Sequence, residues 1–252
     1  DTWPSTIDIR FPDTVILGPS TQFNCVGVGD VNGDEKDDLV CQSLSFAGGK
    51  LENLHFLFLG KSAWPSVLDT GDADCTIINP AGYSANFTVS AERFLINGDQ
   101  IGDLVFTDRG AGGHGKVYII HGRNVFPPSL SIADFDTTIT GKEGVFFGLE
   151  AFPLRDVAGQ PGIVISSAGY PDSEAKLYFF KNSQLNATRV DSSQASFIID
   201  LGVAQGAFFP TLSETGDLNL DGIGDLAVGI QDGAGAQSYR EEVHLFSTHN
   251  IH

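Results

Sequence analysis

The chain has 252 residues, 41% hydrophobic and only 18% charged, and its 32 acidic against 14 basic side chains give a formal net charge of −18. That is material for one large domain or two small ones, and the negative field makes nucleic acid and anionic membrane surfaces poor partners. No apolar run approaches the roughly 18–20 residues that cross a bilayer, and the absence of methionine fits a secreted chain that has lost its signal peptide.

In chain order, the first β-type run is STIDIRF at 5–11, followed by an acidic loop and strand, GDVNGDEKDDLVCQS at 29–43. If Asp30 lies opposite Asp38, Cys25 faces Ser43 and meets Cys41 only diagonally, slightly far for a disulfide. A small register shift would bring the two together, so a Cys25–Cys41 bridge turns on that register. Cys75 is then expected to be a free, buried thiol. A Gly-rich turn, FAGGK, leads to the apolar run NLHFLFLG (53–60) and a third short run, CTIIN (75–79).

The same order then recurs. FLINGDQIGDLVFTD (94–108), GAGGHGK, KVYIIHG (116–122) and TTITG (137–141) make a second unit. FFGLEAF (146–152) opens a third, with PLRDVAGQPGIVISS (153–167), AGYPDSEAK, KLYFFKN (176–182) and SFIID (196–200). GAFFPTL (206–212), GDLNLDGIGDLAVG (216–229), DGAGAQ and EVHLFST (242–248) make the fourth. The first apolar residue after each loop (Leu39, Leu104, Ile163, Leu226) recurs roughly every 60 residues. The second runs are apolar at successive positions, which predicts strands covered on both faces, and nothing shows helical periodicity. The fourth unit lacks its last strand, and 5–11 is of the right type to supply it, closing a ring without open edges. The sequence therefore predicts an all-β chain in a single domain, 1–252, with repeats at 20–80, 83–142, 146–201 and 206–250 plus 5–11.

The pattern Gly-Asp-x-Asn-x-Asp-Gly-x-x-Asp-Leu-x-Val-Gly at 216–229, with FFG at 146–148 ahead of another copy, resembles the FG-GAP repeat of integrin α-subunits and certain fungal lectins. The resemblance covers nearly the whole chain and implies a four-bladed β-propeller of four-stranded antiparallel blades, closed by the N-terminal strand. Family members usually have seven blades. The resemblance also implies that the acidic loops hold Ca²⁺ and that ligands meet the opposite face.

Ligand chemistry supports the metal expectation. Ca²⁺ takes six to eight oxygens from carboxylates, amides and carbonyls, and alternate positions of a tight loop point such oxygens into one concavity. The first loop offers Asp30, Asn32, Asp34, the carbonyl of Lys36, and Asp38. The fourth offers Asp217, Asn219, Asp221, the carbonyl of Ile223, and Asp225. The second loop keeps Asn97, Asp99 and Asp103 but has Leu95 at the first position, and the third keeps only Asp156. Two structural ions are expected, with Leu95 and Leu154 packing inward instead.

In a propeller the turns at the other face would gather Tyr83, Asp108, Arg109, Tyr170, Asp172, Asp232, Tyr239 and Arg240, a composition suited to sugars or protein side chains. Asn86 and Asn186 head N-x-[ST] sequons. The histidines form no zinc-type spacing, and His55 and His244 are expected to be buried in apolar strands. No nucleophile elbow or phosphate loop occurs. The expectation is a secreted, calcium-stabilised recognition module for carbohydrate or an extracellular protein. A structural subunit of an extracellular assembly, or a carbohydrate-active hydrolase or lyase built on carboxylates brought together by the fold, are the alternatives.

Overall fold

The structure is a computed structural model that describes residues 13–19, 22–47, 50–79, 87–90, 92–142, 145–154, 160–169, 175–201, 211–216, 218, 220, 225–232 and 240–246. The strand expected at 5–11 lies outside them. The first part of the chain forms β1 (Val15–Leu17), β2 (Gln22–Gly29), β3 (Asp38–Ala47), β4 (Lys50–Phe58), β5 (Val67–Asp69) and β6 (Cys75–Ile78). Next come β7 (Phe87–Val89), β8 (Leu104–Asp108), β9 (Lys116–Ile120), β10 (Ser129–Ser131) and β11 (Thr137–Thr140). Then follow β12 (Val145–Leu154), β13 (Gly162–Gly169), β14 (Lys176–Lys181), β15 (Arg189–Asp191) and β16 (Phe197–Asp200), and finally β17 (Thr211–Gly216), β18 (Asp225–Asp232) and β19 (Arg240–Phe246). Helical structure among the described residues is limited to three-residue 3-10 turns, so the all-β reading holds.

The four-bladed, ring-closed propeller does not. The strands build five separate sheets, ordered β1-β5, β10-β6-β4-β3-β2, β15-β11-β9-β8-β7, β12-β13-β14-β16 and β17-β18-β19, and none of them closes. The blades are not purely antiparallel either. β10 joins β6, β15 joins β11 and β1 joins β5 as parallel neighbours. The physical reason lies in the link before the last strand of a unit. That link reaches back to the outer strand of the preceding sheet and pairs there, which widens two sheets to five strands.

The sheets stack face to face in a row. Val40, Leu57 and Ile77 of the first large sheet share a core with Leu104, Phe106 and Tyr118 of the second. The opposite side of the second, with Val105, Val117 and Ile119, packs on Ile163, Ile165 and Tyr178 of the third. Val164, Leu177 and Phe179 then meet Leu212, Leu226 and Val228 of the fourth. Burial on both sides explains why β8 is buried at every residue. The end faces do not meet among the described residues. The outer side of the first sheet, with Cys41, Phe56 and Phe58, is covered by Ile16, Trp64 and Leu68. On the fourth, Val243 and Leu245 remain 70% and 62% exposed.

His55 is buried as expected, whereas His244 is exposed, because β19 is an edge strand; the His244 ring stacks on Phe246. The cysteine register resolves through a β-bulge. The pairing shifts between Gly27 and Gly29, and Gly29 adopts a left-handed φ of 74° that glycine alone takes without strain. Gly29 then faces Asp38 while Cys25 comes directly opposite Cys41, and the two form a disulfide with Cα atoms 4.0 Å apart. Cys75 is a free, buried thiol whose pKa burial pushes up to about 11.

Candidate functional site

At residues 30–38 the loop binds its own backbone. Asp30 accepts four N–H groups, from Asn32, Gly33, Asp34 and Glu35, at 2.6–3.2 Å. Asn32 Oδ1 accepts from Asp34 and Asp34 Oδ1 from Lys36, at 3.1 and 3.0 Å, and Lys36 Nζ sits 3.1 Å from Asp34 Oδ2. Asp34 and Glu35 are exposed and Asp30 is half-buried. These are hard oxygen donors at alternate positions; a carboxylate has about four lone-pair sites, so the four N–H contacts occupy those of Asp30, while Asn32 and Asp34 keep acceptor capacity for a cation. The charges of Asp30 and Asp34 also reach Asp38, where burial first and these neighbours second raise its pKa. Mutual repulsion of this kind is what a divalent ion relieves. The residues present fit Ca²⁺ chemically, although no group of three metal-ligating side chains is already gathered among the described residues.

Asp38 has a second job that its loop position does not advertise. It is buried, and its two oxygens accept from Val31 N at 2.7 Å and from Gly60 N, beyond β4, at 2.6 Å. Asp103 repeats this with Ile96 N and with Gly122 N at 3.0 Å, and adds His121 Nδ1 at 3.2 Å. Asp225 likewise accepts from Leu218 N at 2.8 Å. The ninth loop position is therefore a brace between the loop and its sheet. The third unit has Gly162 there, while Leu154 is buried in the core as expected and Leu95 is half-buried.

Of the fourth loop, Asp217, Asn219, Asp221 and Ile223 lie outside the described residues, as do Asp156, Tyr83, Asn86, Tyr170, Asp172 and Tyr239. Asp232 and Arg240 face each other in register across β18 and β19. Asp108 is fully buried and its Oδ1 accepts from Gly110 N at 3.1 Å, a turn-forming bond, while Arg109 is exposed. Asn186 is exposed beside the link into β15, so its sequon is accessible.

A cavity of about 750 Å³ opens between the second and third sheets. It lies at the end of β8 that carries the 109–115 turn, opposite the acidic loops. Its wall includes His114, Thr140, Lys142, Tyr178, Asp191 and Ile198. The crossover from β15 to β16 makes it. Asp191 pairs beside Thr140 on the edge of one sheet, and the chain then turns and enters the next. A 3-10 turn at Ser192–Gln194 sets the corner, with a reciprocal cap in which Asp191 Oδ1 accepts from Ser193 N at 2.9 Å and Gln194 Oε1 from Asp191 N at 2.7 Å. The Ser193 hydroxyl and N–H hold the Asp191 pKa low. Lys176 pairs with Asp200 at 2.6 Å. Tyr178 forms part of the floor, its pKa raised by burial. The two carboxylates are thus engaged with neighbours, and the cap holds Asp191 below the range of the proton donor a glycosidase needs.

Sequence reasoning did not single out Lys142, Tyr178, Asp191, Ile198 or Asp200. The D-x-x-Q cap signature at 191–194 was the one local signal, and a related S-x-x-D at 131–134 carries the same reciprocal cap. No protein-family model matches the chain, and no curated protein matches it.

Proposed function

We propose that the protein is an extracellular recognition module, stabilised by calcium, that binds a carbohydrate or protein side chains in the cavity between the second and third sheets. The cavity is the observation that carries this reading. It combines an apolar floor with a few convergent polar groups, at a size typical of small-ligand sites. It also sits at the end of the sheets away from the acidic loops, where the FG-GAP-like repeats lead one to expect a ligand. The disulfide is compatible with an oxidising, extracellular setting, and among the described residues no helix is long and apolar enough to cross a membrane. Calcium would be held by Asp30, Asn32, Asp34, the Lys36 carbonyl and Asp38, and by Asp217, Asn219, Asp221, the Ile223 carbonyl and Asp225. When bound, it would neutralise crowded carboxylates and fix the loops.

Ile198 is 46% exposed on the cavity wall, so Ile198→Trp fills the space without a core cost. On an array of glycans and extracellular proteins, this variant should lose the wild-type hits while its melting temperature stays within a few degrees. Retention of every hit would place recognition elsewhere.

A further inference from the structure

The cavity between the second and third sheets carries acidic and basic groups, most of them already engaged with one another or with the backbone. Asp200 is ion-paired with Lys176, and Asp191 is committed to the Ser193 cap. The Lys142 side chain, in contrast, makes no hydrogen bond or ion pair among the described residues. His114 Nδ1 is shielded from solvent and also meets no partner among them. The backbone keeps these two residues adjacent. Gly141 N donates to Gly115 O at 3.0 Å, and the packing is so close that a methyl group on Gly141 would lie 2.4 Å from His114 O. Thus a lysine with no described acid beside it borders this space in a chain whose net charge is −18.

An ammonium at a cavity wall with no described acid beside it gains from a ligand that brings it a charge-assisted hydrogen bond. The geometry points to a ring-shaped, carboxylate-bearing ligand of the uronic-acid class. Its carboxylate lies against Lys142, and its hydroxylated ring packs against Tyr178 and Ile198. A carboxylate meets an ammonium through a charge-assisted hydrogen bond, and an amphipathic ring suits a tyrosine face beside an aliphatic side chain. A neutral sugar would leave Lys142 unmet. The inference rests on the cavity being the recognition site and names what that site selects.

The test is a calorimetric titration of the full chain with methyl glucuronoside and with methyl glucoside, which share a ring and differ at the carboxylate. Wild type should bind the glucuronoside at least tenfold more tightly. Lys142→Gln, at an exposed position, should erase that preference, while Ile198→Trp should abolish binding of both. Equal affinity for the two probes, both lost in Ile198→Trp, would overturn the acidic-ligand inference and leave the cavity as the binding site. No binding of either probe would also overturn it, and the Ile198→Trp array result would then decide separately whether the cavity recognises anything.

Discussion

His55 on β4 lies edge-on to Phe87 and Phe106, with ring centroids 5.1 and 5.2 Å apart, and neither ring nitrogen meets a hydrogen-bond partner among the described residues. Beside it the amides of Gln42 and Asn53 both donate to Phe87 O, at 2.9 and 2.8 Å. Burial lowers the His55 pKa from 6.5 to about 3. The folded state therefore keeps His55 neutral where the unfolded chain protonates it. Its contribution is fully present above pH 6.5 and is lost as the pH falls from 6.5 towards 3. The raised pKa values of Asp38 and Glu150 act in the opposite sense, so the effect must be isolated by comparison. Urea unfolding at pH 7 and pH 5 should show wild type losing about 2 kcal/mol more than His55→Leu, at roughly 1.4 kcal/mol per unit of pH. Parallel losses in the two proteins would mean that His55 is hydrated or hydrogen-bonded.

At the scale of elements, the acidic loop and its brace are separable. Asp38→Ala removes the acceptor of two buried N–H groups, at a cost of about 1–3 kcal/mol for each group left unsatisfied. That loss should appear with or without calcium. Asp30→Ala should leave more of the metal-free stability while removing the response to metal. In wild type a chelator should lower the melting temperature, since an ion held only by the folded form stabilises it by mass action. An unchanged wild-type melting curve in excess chelator would count against a structural ion. Strand-scale structure was largely legible. The runs at 53–60, 75–79, 116–122, 137–141, 176–182 and 196–200 fall on β4, β6, β9, β11, β14 and β16, because long apolar runs between Gly-rich turns have few other fates. The three-residue strands β1, β5, β10 and β15 were not legible. They are too short for an alternating pattern, and their pairing is set by the sheet they reach. The brace role of Asp38 and Asp103 was hidden too, since a carboxylate that caps backbone N–H groups reads the same as one that ligates a metal.

For the whole molecule, Leu39, Leu104, Ile163 and Leu226 each lie in an inner strand of a different sheet, while β10 and β15 cross into the sheet before their own. Repetition alone says nothing of closure, which depends on the angle between neighbouring sheets and on whether the end faces find each other. Val243 and Leu245 lie on the uncovered side of the last sheet. Leu245→Ser should therefore change stability by less than about 0.5 kcal/mol, whereas Val228→Ala, inside the core shared by the third and fourth sheets, should cost about 1–3 kcal/mol. A loss of several kcal/mol in Leu245→Ser, followed by denaturant unfolding, would show that face to be covered. The cavity likewise belongs to this scale, since its walls come from residues 114 to 200 and meet only because two sheets splay where β15 crosses to β16.

Recognition at the cavity is tested most directly by where a ligand touches the protein. Amide chemical shifts of the labelled chain should be followed through a titration with the strongest-binding glycan from the array. Perturbations are expected to gather at residues 114, 140–142, 176–178, 191–193 and 198–200, with residues 30–38 unmoved at constant calcium. Shifts concentrated at 30–38, with the cavity residues silent, would contradict it.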